Sequence, residues 1–264
     1  MTIFSITPIF YKIIKKEKFI KAARIYGSSL YLDDTIDIDI ALLIPSRYGV
    51  VGHTIYKRLY NVRKKLCDLT GLDIDLIPHT QDEITNTNSP LWHPRYNPSL
   101  VFGKDIKAKF PIKPMFFKKS LSNWFTDMVA YNLYDTRCIV RRQALRSLNG
   151  EEARIFLAKM IHGPGNALVH LSLCNKKACQ TDPSNIEESF SIFGIKYGLD
   201  MGRILEYFNK SKNIISKTGK LPMERALNIL SWYELLIALI LNNSPKTKGL
   251  ILKKFKQYSA GLKS

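Results

Sequence analysis

Residues 36–44 set acid and apolar side chains in alternation and then run on as an apolar strand: Ile36-Asp37-Ile38-Asp39-Ile40-Ala41-Leu42-Leu43-Ile44. Side chains two apart on a strand share a face. Asp37 and Asp39 therefore project two carboxylates to one side. Carboxylates that close repel unless a positive charge sits between them, and a divalent metal on nucleotide phosphates is the usual reason. A Gly-Ser pair, Gly27-Ser28, precedes this strand where another strand, expected around 23–26, would turn over. Glycine lets the backbone approach a phosphate, and backbone N–H groups with the Ser28 hydroxyl suit its oxygens. Asp33 and Asp34 read as caps of the intervening turn.

Farther on, Leu72-Asp73-Ile74-Asp75-Leu76-Ile77-Pro78 repeats the alternation. Between the two acidic segments, residues 52–69 carry Ile55, Leu59, Val62, Leu66 and Leu69 at i, i+4, i+7, i+11 and i+14, which predicts a helix. The second acidic strand is expected to span 72–77 and to stop at Pro78, with a loop over 79–99.

A Gly-Ser turn followed by Asp-x-Asp on the next strand, with a further acid on a later strand, resembles the signature of the DNA polymerase β-type nucleotidyltransferase superfamily. The resemblance covers roughly residues 20–115. It implies an α/β catalytic domain with a mixed sheet. It implies that Asp37, Asp39 and Asp75 are catalytic and hold Mg²⁺ or Mn²⁺, and that Gly27 and Ser28 bind the nucleoside triphosphate substrate. Asp73 shares the facing of Asp75 and is the rival third carboxylate. Asp75 is preferred because Leu76-Ile77-Pro78 follows it directly, as in related sequences. The segment Ser99–Gly103 also resembles one found in antibiotic-modifying members. Two departures stand out. Ser29-Leu30 replaces the basic residue and second glycine that many relatives carry, and Ile36 replaces a serine.

Pro111 and Pro114 mark a hinge within 107–119. The expected division is a catalytic domain over 1–115 and an α-helical acceptor-binding domain over 116–264, an α+β chain overall. Helices are expected at 7–18, 120–147, 151–173, 185–209, 221–242 and 247–258, the second of the C-terminal set kinked by Gly163-Pro164-Gly165.

The formal net charge is +18. Residues 1–115 carry 17 Lys/Arg against 11 Asp/Glu, a surplus of 6, and residues 116–264 carry 23 against 11, a surplus of 12. Such a field favours a polyanionic partner. Arg137, Arg141, Arg142 and Arg146 would form a basic helical stripe, either contacting acceptor phosphates or solvated and paired with Asp135 or Glu151. Lys246, Lys248, Lys253, Lys254 and Lys256, interleaved with Phe255 and Tyr258, form a second basic cluster, read first as a solvated helix. Trp92–Tyr96 lies in the long loop and suits either an acceptor pocket or packing.

Four cysteines are too few for a disulfide scaffold at this length. His162, His170, Cys174 and Cys179 match no common zinc spacing. No apolar run is long enough to span a membrane, and the N-terminus lacks the basic region of a signal peptide. A cytoplasmic location is expected.

The reaction implied is transfer of a nucleoside monophosphate to an acceptor hydroxyl, with pyrophosphate leaving. RNA is the favoured acceptor, with a tRNA 3′ end, ATP or another NTP, and a toxin or defence role with a cognate antitoxin as what related proteins suggest. A small aminoglycoside-like molecule or a protein is an alternative acceptor. A non-catalytic nucleic-acid-binding module is an alternative of another class.

Overall fold

The computed structural model describes residues 3–26, 37–46, 50–81, 99–103, 137–146, 148–161, 186–241 and 244–262. The fold is α+β, with a mixed four-stranded sheet and eight helices among the described residues. The chain divides into two compact units, Met1–Met115 and Phe116–Ser264.

In the first unit, helix α1 (Ile3–Ile14) precedes strands β1 (Ala22–Tyr26) and β2 (Asp37–Ile44). Helix α2 (His53–Thr70) then leads to β3 (Asp73–Thr80), and β4 (Ser99–Gly103) follows. The sheet order is β3-β2-β1-β4. Strands β2 and β3 are parallel, whereas β1 is antiparallel to both β2 and β4. A parallel pair needs a crossover connection, and α2 provides it. Ile38, Ile40, Leu42, Ile74 and Leu76 are buried on one face of the sheet. On the other face Ala22, Ala41 and Leu43 form a small core with Tyr26 packed against it.

Three expectations change here. The first helix begins at Ile3 rather than near 7, so Pro8 lies inside it, and turns at Lys16 and Glu17 end it. Strand β3 continues through Pro78 to Thr80, because β3 is an edge strand and proline's missing donor costs no ladder bond on the open side. The buried stripe of α2 is Tyr56, Leu59, Val62, Leu66 and Thr70. Leu69 is 55% exposed instead. At the end of β4, Gly103 has φ +82°, and a Cβ there would collide with the Lys21 carbonyl. Gly103→Ala is expected to destabilise the chain by roughly 1–3 kcal/mol in chemical denaturation.

The second unit contains α3 (Arg137–Ala144), β5 (Leu148–Asn149), α4 (Gly150–Ile161), α5 (Ile186–Tyr197), α6 (Met201–Thr218), β6 (Lys220–Leu221), α7 (Met223–Leu241) and α8 (Pro245–Gly261). The short β5–β6 antiparallel pair was not expected from a helical pattern. Nor is 185–209 one helix. Gly198 at φ +61° ends α5, and the Asp200 side chain accepts from Arg203 N to cap α6. Helix α7 is buried nearly all round, as its run Leu235–Leu241 predicts. Its Trp232 stacks on Phe190 at 5.8 Å and meets Phe208 edge-on at 5.1 Å. No described helix is long and apolar enough to cross a membrane.

The same helix buries Glu234 completely. Arg137 Nη2 donates to its Oε2 at 2.6 Å, and Arg141 donates through Nε at 2.6 Å and Nη2 at 3.0 Å. Burial pushes the Glu234 pKa up, but the two guanidiniums beside it outweigh that and hold it at about 2, below the ordinary 4.5. A depressed carboxylate pKa stabilises the fold fully above the unfolded value and loses that contribution as pH falls through the folded one. Glu234→Gln is expected to cost about 3–5 kcal/mol at pH 7, because it leaves two arginines buried without their carboxylate. Urea unfolding followed by tryptophan fluorescence should show that difference intact above pH 4.5 and shrinking as pH falls towards about 2.

Candidate active site

The acids converge through sheet register. Asp37 is the Cα partner of Asp73, and Asp39 that of Asp75. Opposed residues on neighbouring strands share a face, and the strands lie about 4.8 Å apart. All four carboxylates therefore belong to one face, at the amino ends of β2 and β3. Their burial is graded. Asp37 is exposed, Asp39 and Asp73 are half-buried, and Asp75 is 2% exposed.

Strand β1 brings its carboxyl end to the same place, since Tyr26 pairs with Asp39. The chain enters position 27 from there. Gly27, Ser28, Asp33 and Asp34 lie outside the described residues. So do Trp92–Tyr96, the segment 107–119, residues 120–136, Gly163–Gly165, His162, His170, Cys174 and Cys179.

Asp73 has a partner on α2. Arg63 of α2 forms an ion pair with Asp73 and donates through Nε to the Ile74 carbonyl at 2.7 Å. That guanidinium fixes Asp73 at the entrance to the strand. Asp75 lies one row inward, opposite Asp39. Two residues the sequence reading passed over share this face. Tyr26 completes the Tyr26–Asp39–Asp75 row, and the buried Arg24 stands one row further in, opposite Ala41. Period-2 alternation already placed Arg24 and Tyr26 on one side of β1. Only the register between strands reveals that it is the acidic side.

Among the described residues, no three His, Cys, Asp or Glu side chains gather into a group that could hold a metal ion by themselves. The donors present are carboxylate oxygens, which suit Mg²⁺ or Mn²⁺ better than softer metals. Mg²⁺ is commonly held by one or two carboxylates together with substrate phosphates rather than by an all-protein cage. The opposed pair Asp39 and Asp75 offers the number of carboxylates that mode uses.

The expected basic stripe on α3 is split. Arg137 is 1% and Arg141 0% exposed, both committed to Glu234, so neither presents a solvent-facing charge to an acceptor. Arg142 and Arg146 are half-buried. A solvated stripe, the other expectation, does not describe Arg137 and Arg141 either, and Asp135 lies outside the described residues.

Asp39→Asn and Asp75→Asn are each expected to weaken Mn²⁺ binding, measured calorimetrically with nucleotide present, by roughly tenfold or more. Asp73→Asn should change it less than threefold, its half-exposed ion pair with Arg63 contributing under about 1 kcal/mol to stability. Comparison with known protein families, with characterised proteins and with solved structures finds no match to this chain.

Proposed function

We propose that the chain is a metal-dependent nucleotidyltransferase that moves a nucleoside monophosphate from an NTP onto an acceptor hydroxyl, with RNA as the acceptor. The reading rests on one observation: the parallel pairing of β2 with β3 sets Asp39 directly opposite Asp75 on the face that also carries Asp37. The resemblance of the Gly-Ser and Asp-x-Asp segments to the DNA polymerase β-type superfamily gives those carboxylates their roles. The specific nucleotidyltransferase fold is part of the proposal.

Asp37 and Asp39 would hold the cation together with the triphosphate, and Asp75 would join them. A bound divalent ion would supply charge neutralisation for the phosphates and a Lewis acid at the reacting phosphorus. The buried Asp75 accepts the proton of the acceptor hydroxyl. The acceptor oxygen forms a bond to the α-phosphorus as the α–β bridging P–O bond breaks, and the bridging electrons leave with pyrophosphate. Gly27 and Ser28 contact the triphosphate by backbone N–H groups and the hydroxyl.

RNA is favoured over a small polycation by charge. The surplus of 12 positive charges in residues 116–264 attracts a polyanion and repels an aminoglycoside. Arg142 of α3 and Arg146, just beyond its end, remain the acceptor-contact candidates.

The test is transfer of label from each α-³²P NTP, with Mg²⁺, into total RNA, an aminoglycoside panel and a protein lysate. RNA is expected to take the label, and Asp39→Asn to lower transfer by roughly 100-fold or more, the scale of losing one electrostatic stabiliser. Label in the antibiotic or in protein would replace the acceptor and keep the chemistry. Full transfer by Asp39→Asn would overturn the site, and RNA binding without transfer would point to a non-catalytic module.

A further inference from the structure

A second feature of the first unit lies between α1 and α2 and is independent of the proposed chemistry. The two helices enclose a groove of about 470 Å³. Its apolar wall is Ile9 and Ile13 from α1, with Val62 and Leu69 from α2. Leu69 is among the most exposed large apolar side chains of the described residues, at 55%. It occupies a position that helical periodicity assigns to a buried stripe, yet it opens onto this groove.

The rim is basic. Lys12, Lys16 and Lys65 line it, and all three are exposed. Among the described residues none of the three ammonium groups has an ion-pair or hydrogen-bond partner. Glu17, the acid lining the groove among the described residues, is bound to Arg58 at 2.6 Å, so its charge does not offset the lysines. Arg58 in turn lies over the Phe19 ring at 4.4 Å, which holds that pair beside the groove.

We propose that this groove docks an acidic amphipathic helix of a partner protein. Such a helix presents apolar side chains at i, i+3 or i+4 and i+7 to a trough between two helices, and its flanking carboxylates reach the rim. The chemistry discriminates among occupants. A nucleic-acid strand would seek stacking rings in the trough, and its lining holds four aliphatic side chains and the amide of Asn61 but no ring. A bilayer surface would meet a convex basic patch rather than a concave one.

The test uses the full chain and a fluorescein-labelled helical peptide of about 18 residues, about five turns, with leucines at the spacing above and glutamates flanking them. Fluorescence anisotropy is expected to show saturable binding. The double variant Lys12→Glu/Lys16→Glu, and separately Leu69→Asp, should each weaken it at least tenfold. Lys246→Glu/Lys253→Glu makes the same charge change at exposed positions of α8 and should alter it less than twofold. Replacing the peptide's glutamates by lysine, or its leucines by serine, should abolish binding. All substituted positions are exposed, and circular dichroism melts check that each variant folds. If Leu69→Asp does not fold, the lysine pair still decides the question. The proposal is overturned if the wild-type chain gives no saturable binding, if the Lys246/Lys253 variant loses as much as the Lys12/Lys16 variant, or if the groove variants bind unchanged. It is also overturned if those variants lose binding to phosphatidylserine vesicles or duplex RNA while the peptide never binds.

Discussion

The in-register parallel pairing of β2 with β3 is the constraint on which the first unit depends. It sets Asp37 opposite Asp73 and Asp39 opposite Asp75, so two local alternations become one acidic face. A slip of one residue in either strand would turn its two carboxylates into the opposite layer, where Ile38, Ile40, Ile74 and Leu76 are buried. The apolar residues thus fix the acids. Burying Ile and Leu side chains is worth about 1.5–3 kcal/mol each. Two unit charges separated by one strand spacing repel by about 3–4 kcal/mol at an effective dielectric of about 20, which the burial of several such side chains together exceeds. A strong register is therefore what permits a repulsive cluster to persist.

Strand direction decides where that cluster faces. In an all-parallel, doubly wound sheet, ligands gather at the carboxyl ends of the strands. Here the acids stand at the amino ends of β2 and β3, and the antiparallel β1 supplies the carboxyl end at the same edge of the sheet. Tyr26 next to position 27 is therefore in register with Asp39. A mixed sheet is what lets a strand-to-loop exit and an Asp-x-Asp entrance meet. The second unit handles charge the opposite way. Its Glu234 is fully buried and answered by two arginines whose geometry is bidentate or nearly so. The sheet carboxylates run from exposed Asp37 to buried Asp75, whereas Glu234 carries its two cations within the fold.

What was legible in the sequence follows the range of the interactions involved. Period-2 alternation at 37–44 and 73–77 and the helical spacing at 52–69 are local, and β2, β3 and α2 form within a few residues of those bounds. Pro78 read as a stop because the sequence does not say which strand lies at an edge. Helix 185–209 read as continuous because Gly198 is tolerated inside a helical pattern, and its left-handed conformation and the Asp200 cap emerge only in three dimensions. The arginine stripe misled for the clearest reason. Arg137 and Arg141 meet a glutamate 97 and 93 residues away, on a helix whose apolar run hides a single acid. Local spacing identifies a face of a helix but not what that face touches. The same limit left Asp73 and Asp75 indistinguishable by alternation, whereas burial separates them, Asp75 being buried and Asp73 half-buried.

Helix α2 joins these threads. It is the crossover that makes β2 and β3 parallel, and its Arg63 reaches Asp73 and the Ile74 carbonyl at the start of the acidic strand. Its Val62, Lys65 and Leu69 form one wall of the basic groove. Adjacent positions on one helix thus serve the carboxylate face and the groove: Val62 touches one, Arg63 the other. An occupant of the groove changes the acidic face only so far as it binds two arrangements of α2 with different affinity. Val62, Leu66 and Tyr56 are buried, so a tilt of α2 would have to repack that stripe against its neighbours. The sheet-side packing makes α2 a rigid strut. Physical coupling between groove and acids is then expected to run through the exposed-side contacts, Arg63 to Asp73 above all, rather than through movement of the helix as a whole.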